Sequence, residues 1–70
     1  MARDNGRRAA ELLTVRQVLD ELGGISRRTF YRWRELRLAP ACIRLPNGEL
    51  RVRRDVFDHW LEERAEEAAR

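Results

Sequence analysis

The segment Gly23-Gly-Ile-Ser-Arg-Arg-Thr-Phe-Tyr-Arg-Trp33 decides the fold that the sequence predicts. Its glycine pair ends one helix, because glycine tolerates the left-handed backbone conformation that is common just past a helix C-terminus. Ser26 is then placed to cap a second helix, which we expect to run through about Arg37. The core face of this second helix is predicted to consist of Phe30, Trp33 and Leu36.

The helix before the glycine pair begins with a capping box, in which Thr14 supplies the hydroxyl and Gln17 follows three residues later. Its apolar residues recur at helical spacing and form one face: Val15, Val18, Leu19 and Leu22. Two helices joined by a glycine-containing turn of about three residues make a helix-turn-helix unit.

The period of the apolar residues changes after Ala39-Pro40, which closes the second helix because proline disfavours helix in the residue before it. Residues 42–45 and 50–53 alternate between apolar and polar, as half-buried strands do. Asn47-Gly48 between them predicts a hairpin turn in which both central residues have positive φ. The strand register stays open at this point, and with it the faces taken by Ile43, Leu45 and Val52.

A last helix is expected from about Arg54 to Ala68, with Asp55 in its first turn beside the positive end of the helix dipole. Its apolar residues are Phe57, Trp60, Leu61, Ala65 and Ala68. The predicted fold is therefore mainly α with a small β-hairpin: a winged helix-turn-helix of three helices and a two-stranded wing. This domain covers residues 12–68 and follows a flexible N-terminal tail of residues 1–11.

The positive charge of the chain is concentrated in its middle. Residues 27–54 contain nine arginines against two glutamates, a net charge of +7, whereas residues 1–26 sum to zero and residues 55–70 to −4. A contiguous positive stripe attracts nucleic acid, because each neutralised phosphate releases condensed counterions. A solvated, arginine-rich surface without a partner is the alternative.

The outward face of the second helix carries the residues that we expect to contact DNA. Arg27, Arg28 and Tyr31 lie away from the core face and near the start of the helix, where a recognition helix meets base edges in the major groove. Arginine binds guanine O6 and N7 as a bidentate donor. Four neighbours complete the predicted set, two of them (Thr29 and Arg32) as phosphate contacts: Ser26, Thr29, Arg32 and Arg34. An ordinary amphipathic surface helix is the alternative.

The predicted hairpin offers a second basic element. Arg51 and Arg53 share one face of their strand, Arg44 lies on the facing strand, and Asn47 lies at the tip. A basic β-ribbon beside a recognition helix can reach across the phosphate backbone into the minor groove. We therefore predict DNA contacts from these four residues. Protection of an exposed strand edge against aggregation is the alternative.

No arrangement of residues points to catalysis, and no cofactor is expected. Ser26, Thr29 and Cys42 have no histidine or acid placed to activate them. Cys42 is the single cysteine, which excludes an internal disulfide and a cysteine-based zinc site, and His59 has no second ligand at metal-binding spacing. No apolar run is long enough for a membrane span. The lone cysteine suits a reducing, cytosolic compartment, so we predict a cytoplasmic protein that is nucleoid-associated when bound.

Three stretches carry a family resemblance: Ser26-Arg-Arg-Thr-Phe-Tyr-Arg-Trp33, the Asn47-Gly48 hairpin and Arg51-Val-Arg-Arg-Asp-Val-Phe-Asp-His-Trp-Leu61. With them, residues 12–62 resemble the small MerR-like winged helix-turn-helix proteins, and most of all the excisionases of actinobacterial integrative elements and phages. The resemblance implies that the major groove is read by Arg27, Arg28, Tyr31 and Arg32. It implies that the wing arginines are Arg44, Arg51 and Arg53.

The resemblance also implies an architectural role on double-stranded DNA. Several copies would bind repeated sites at an attachment sequence cooperatively, bend the DNA, and help a tyrosine-type integrase to favour excision. MerR-type regulators continue into a long dimerisation helix and an effector domain, whereas this sequence stops at Arg70. We therefore expect no small-molecule effector, and this departure favours the excisionase interpretation.

Two other functions stay open at this stage. A small transcription regulator of the same fold would bind a promoter without an integrase. A protein-interaction module would use the acidic last helix as its interface and would have no affinity for DNA. An enzyme is the least favoured class.

Overall fold

The computed structural model describes residues 9–66. Within Leu12–Arg64 of this range, three short strands and three helices follow one another in the order β1 (Leu12–Thr14), α1 (Val15–Glu21), α2 (Arg27–Glu35), β2 (Ile43–Arg44), β3 (Leu50–Arg53) and α3 (Arg54–Arg64). The three helices and the β2–β3 hairpin confirm the predicted winged helix-turn-helix architecture. Most of the predicted tail (residues 1–8) and the predicted last helical residues 67 and 68 lie outside the described residues.

Local hydrogen bonds that the sequence predicts fix both ends of α1. At its start the Thr14 hydroxyl accepts a hydrogen bond from the Gln17 N–H (3.0 Å), and the Gln17 side chain accepts one from the Thr14 N–H (2.8 Å). At its end Gly23, with φ 89°, and Gly24 donate their N–H groups to carbonyls of the last turn. This Schellman arrangement satisfies carbonyls that the helix itself leaves unpaired.

The second helix ends earlier than predicted, at Glu35. Arg37 adopts the left-handed conformation (φ 62°), and its N–H and that of the next residue bond back to carbonyls of the last turn. The chain therefore leaves the helical path at Leu36, whose side chain is 50% exposed. For this reason the prediction that Leu36 belongs to the core face is wrong, whereas Phe30 is fully buried and Trp33 packs partly buried against the core.

A strand that the sequence did not predict completes the sheet. β1 pairs antiparallel with β3, which also pairs with β2, so β3 is the central strand of three. Leu13 lies opposite Val52, and both side chains are buried, as is that of Leu50. Residues 12–14 are too few to display the alternation by which a strand is recognised in a sequence.

The hairpin turn differs from the two-residue turn that Asn47-Gly48 predicts. Gly48 has φ 90°, but Asn47 does not have a positive φ. The Gly48 N–H bonds to the Leu45 carbonyl (2.8 Å) and the Leu45 N–H to the Glu49 carbonyl (2.8 Å), which makes a three-residue loop. Pro46 is the reason, because its ring holds φ at about −65° in the first position of the loop.

Every described element except β2 contributes to the core, whose buried side chains are Leu13, Val15, Val18, Leu19, Phe30, Leu50, Val52 and Phe57. The register that the sequence left open thus buries Val52. It places Leu45 half-buried and Ile43 opposite Arg51 with 39% of its surface exposed. At the other end of the chain α3 stops at Arg64, so Ala65 caps the helix in extended backbone and is not part of its apolar face.

Trp60 ties α3 to the loop that follows α2. Its indole N–H donates to the Leu38 carbonyl (2.9 Å), and its ring lies 6.1 Å from those of both Trp33 and Phe57. The Arg64 guanidinium lies over the same indole, 5.6 Å from the ring centre. A polar anchor at the rim of the core therefore reinforces the packing of these aromatic rings.

Arg54 connects the start of β1, the end of α1 and the start of α3. Its N–H donates to the Glu11 carbonyl (2.7 Å), and its guanidinium makes two hydrogen bonds to the Glu21 carboxylate (2.9 and 2.7 Å). The carboxylates of Glu11 and Asp58 lie 3.6 Å away. The hydrogen bond from Arg54 holds the pKa of Glu21 below its usual value. The charge of Arg54, counted above in the positive stripe, is thus neutralised within the fold.

We expect Glu21→Gln to lower the free energy of unfolding at neutral pH by at most about 1 kcal/mol, because Glu21 is partly exposed and solvent screens the pair. A carboxylate with a depressed pKa adds stability above its unfolded pKa and loses it as the pH falls through the folded pKa. The difference between variant and unchanged protein in urea unfolding curves should therefore disappear as the pH falls through the folded pKa of Glu21.

The matched control is Glu62→Gln, the same change at an exposed carboxylate with no ion pair among residues 9–66. If both variants showed the same pH dependence, the Arg54–Glu21 pair would not stabilise the fold.

Candidate nucleic-acid interface

A cleft of about 440 Å³ opens between the start of α1, the N-terminal half of α2 and the β2–β3 hairpin. Each of these elements contributes arginine to its lining: Arg16 from α1, Arg27 from α2, Arg44 from β2 and Arg51 from β3. Tyr31 and Glu49 also line it. Arginines that are far apart in sequence thus surround one concave surface, which gives it a positive potential suited to a polyanion.

The predicted residues at the start of α2 divide into two kinds. The Ser26 hydroxyl accepts a hydrogen bond from the Thr29 N–H (3.0 Å) and donates one to the Thr29 hydroxyl (2.9 Å). These two residues therefore cap the helix. Arg27 and Arg28 lie in the helical turn that Ser26 and Thr29 stabilise. Both arginines are exposed, and neither has a carboxylate partner among residues 9–66.

Further along α2, Tyr31 is held between two neighbours. Its ring makes an edge-to-face contact with Phe30 (5.9 Å between centres), and the Arg34 guanidinium lies 5.6 Å above it. Arg32 forms an exposed ion pair with Glu35 (3.5 Å). Of these α2 side chains, only Tyr31 lines the cleft.

The hairpin arginines form hydrogen bonds with the turn of the hairpin and with α3. Arg44 donates to the Gly48 carbonyl (2.9 Å), and Arg51 donates to the Glu49 carboxylate (2.9 Å). Arg53 shares its strand face with Arg51, but it makes two hydrogen bonds to Asp55 (3.0 and 2.7 Å) at the opposite end of β3 and does not line the cleft. The structure therefore brings two of the three predicted wing arginines together.

Asn47, predicted at the tip, is exposed and uses its side-chain oxygen to accept a hydrogen bond from the Glu49 N–H (2.9 Å). This bond holds the loop that carries Glu49. Its amide N–H₂ group makes no hydrogen bond within the described part of the chain.

Sequence reasoning missed Arg16 as a member of the site. It follows the Thr14 cap by two residues, is exposed, and lines the cleft with no carboxylate partner in the described ranges. A signal existed, because the first helix of a helix-turn-helix crosses the DNA backbone and a basic residue at its start lies near phosphates.

The remaining reactive groups do not form a centre. Cys42 is half-buried, and burial raises the pKa of its thiol. Among residues 9–66 no three metal-ligating side chains come together. The longest helix in that range, α3, has 11 residues and carries too many charges to cross a bilayer.

A comparison with protein families matches residues 12–65 to the helix-turn-helix domain family. Searches of curated proteins and of solved structures found no significant match. The matched range runs from β1 to the residue that caps α3, and so includes the whole cleft. Domains of this family are typically non-enzymatic. The chain belongs to the helix-turn-helix domain family and is a small helix-turn-helix DNA-binding protein.

Proposed function

We propose that the protein binds double-stranded DNA with α2 in the major groove and the β2–β3 hairpin against the adjacent minor groove. The phosphate strand that separates the two grooves then passes through the cleft. The observation that carries this proposal is the convergence of four arginines on that cleft: Arg16, Arg27, Arg44 and Arg51. Half or more of protein–DNA hydrogen bonds go to the backbone, so such a cluster fixes the register of the complex.

The contacts divide between bases and backbone. Arg27, Arg28 and Tyr31 stand at the start of α2, where side chains reach base edges. Arg16, Arg44 and Arg51 contact phosphates, with Arg32 and Arg34 on the flanks of α2 as further backbone contacts. Arg53 is paired with Asp55 and does not line the cleft, so we expect it to contribute less than the arginines of the cleft.

We further propose that this DNA binding is architectural, as in an excisionase. Several copies would fill repeated sites at an attachment sequence, bend it, and assist a tyrosine-type integrase in excision. The three stretches that resemble excisionases support this role. Bending a site by several tens of degrees costs about 1–6 kcal/mol. Phosphate contacts from the hairpin and contacts between copies can offset that cost.

A surface for such neighbour contacts lies apart from the cleft. An apolar groove of about 380 Å³ runs between the end of α2 and the end of α3 and shares no lining residue with the cleft. Leu38 and Leu61 line it and are 42% and 37% exposed. Exposed acidic residues follow it at the end of α3: Glu62, Glu63 and Glu66. This acidic rim complements the basic surface of a second copy on the same DNA, in a cytoplasmic, nucleoid-associated assembly.

The test is a footprint with a bending assay on DNA flanking the gene, followed by excision with the partner integrase. We expect several directly repeated protected sites, filled cooperatively on a bent duplex, and more excision when the protein is added. A single inverted repeat at a promoter, with no effect on excision, would instead identify a dimeric transcription regulator, because palindromic sites mirror two-fold protein symmetry.

For the cleft itself, we expect Arg16→Gln to weaken binding about 3- to 10-fold on both the footprinted site and random-sequence DNA, because a phosphate contact carries no sequence information. The slope of log affinity against log salt should become shallower by about 1. Arg37→Gln is the matched control, since Arg37 is exposed and lies outside the cleft at the far end of α2. Equal losses in the two variants, measured by fluorescence anisotropy, would remove Arg16 from the interface.

A further inference from the structure

Glu49 is an acidic residue in a cleft that is otherwise lined by basic and neutral side chains. A carboxylate that faces a polyanion opposes binding through like-charge repulsion. Its presence among Arg16, Arg27, Arg44 and Arg51 therefore calls for a physical reason, and its contacts supply one.

The Glu49 carboxylate holds the Arg51 guanidinium. Nη2 of Arg51 donates to Oε1 of Glu49 at 2.9 Å, and Nη1 donates to the backbone carbonyl of Leu50, also at 2.9 Å. The Arg51 side chain is 23% exposed and that of Glu49 is 60% exposed. These two bonds use only part of the donor capacity of a guanidinium, whose planar fork keeps N–H groups for a phosphate oxygen.

Glu49 is itself held in place. Its N–H donates to the Asn47 side chain (2.9 Å), and its carbonyl accepts from the Leu45 N–H (2.8 Å). The chain of contacts therefore runs from the turn through Asn47 and Glu49 to the guanidinium of Arg51. The neighbouring Arg44 is held in the same manner by the Gly48 carbonyl, which carries no charge.

We propose that Glu49 is a positioning residue for DNA binding, which fixes the Arg51 guanidinium in the cleft before DNA arrives. This inference rests on the proposed function. A long arginine side chain loses rotamer freedom when it is immobilised at an interface, and a group already ordered in the free protein avoids most of that loss. Solvent and salt screen the repulsion between the exposed Glu49 carboxylate and phosphate, and the proposal requires the gain from ordering Arg51 to exceed what remains of that repulsion.

The experiment is a double-mutant cycle on a random-sequence duplex of about 20 base pairs, followed by fluorescence anisotropy. We expect Glu49→Ala to weaken binding about 3- to 10-fold in the unchanged protein and by less than about 2-fold when Arg51 is already alanine. Glu49→Gln should stay within about 2-fold of the unchanged protein, because its amide oxygen still accepts from Arg51.

Each contrary result has a distinct meaning. Tighter binding by Glu49→Ala in both backgrounds would show that Glu49 acts by repulsion alone and would overturn the inference. Equal weakening in both backgrounds would also overturn it, because Glu49 would then act without Arg51. No binding by the unchanged protein would overturn the proposed function as well, whereas binding without coupling would overturn only the positioning role.

Two controls accompany the cycle. Asp20→Ala removes the same charge outside the cleft, at an exposed residue with no ion pair among residues 9–66, and should leave binding within about 2-fold, which separates local from long-range electrostatics. Thermal unfolding of every variant detects loss of fold. If Glu49→Ala unfolds, Glu49→Thr replaces it in the same cycle, because threonine suits the extended backbone beside a strand.

Discussion

The antiparallel pairing of β3 with both β1 and β2 is the interaction on which the rest of the structure depends. Arg51, in the middle of β3, lies opposite Thr14 on one side and opposite Ile43 on the other. Thr14 is also the cap of α1, so the same pairing places Arg16 beside the hairpin. Without β3 as the central strand, the arginines of the cleft would belong to unconnected surfaces.

Burial of a few side chains couples α2 to this sheet. Phe30 from α2 and Phe57 from α3 are fully buried against Val52 of the central strand and the apolar face of α1. Such a small core leaves a thin margin of stability for a domain of this size. Local hydrogen bonds therefore matter more than in a large protein: the caps at Thr14 and Ser26 and the contacts of Arg54 fix the helices that carry Arg16 and Arg27 of the cleft.

The sequence predicts well whatever depends on neighbours in the chain. The Thr14 capping box, the Gly23-Gly24 stop and the bounds of β3 are all found as predicted, because each follows from residues a few positions apart. The features that the sequence missed depend on tertiary contacts or on competing local signals. β1 becomes a strand only by pairing with β3. The φ angle imposed by the Pro46 ring replaces the two-residue turn that Asn47-Gly48 predicts with a three-residue loop. Only the three-dimensional arrangement shows that Arg16 lines the cleft. It also shows that Arg54 is paired with a carboxylate and so does not add to the free positive charge.

The central claim is that DNA occupies the cleft between α2 and the hairpin. The most direct measurement is a titration of the ¹⁵N-labelled protein with a DNA duplex, followed through the backbone amide and arginine Nε–H signals. We expect the largest shift changes at Arg16, Arg27 and the loop that holds Gly48, with small changes at the end of α3. The claim that DNA occupies the cleft would be contradicted if the cleft signals did not change and the shift changes were concentrated around Leu38, Leu61 and Glu62.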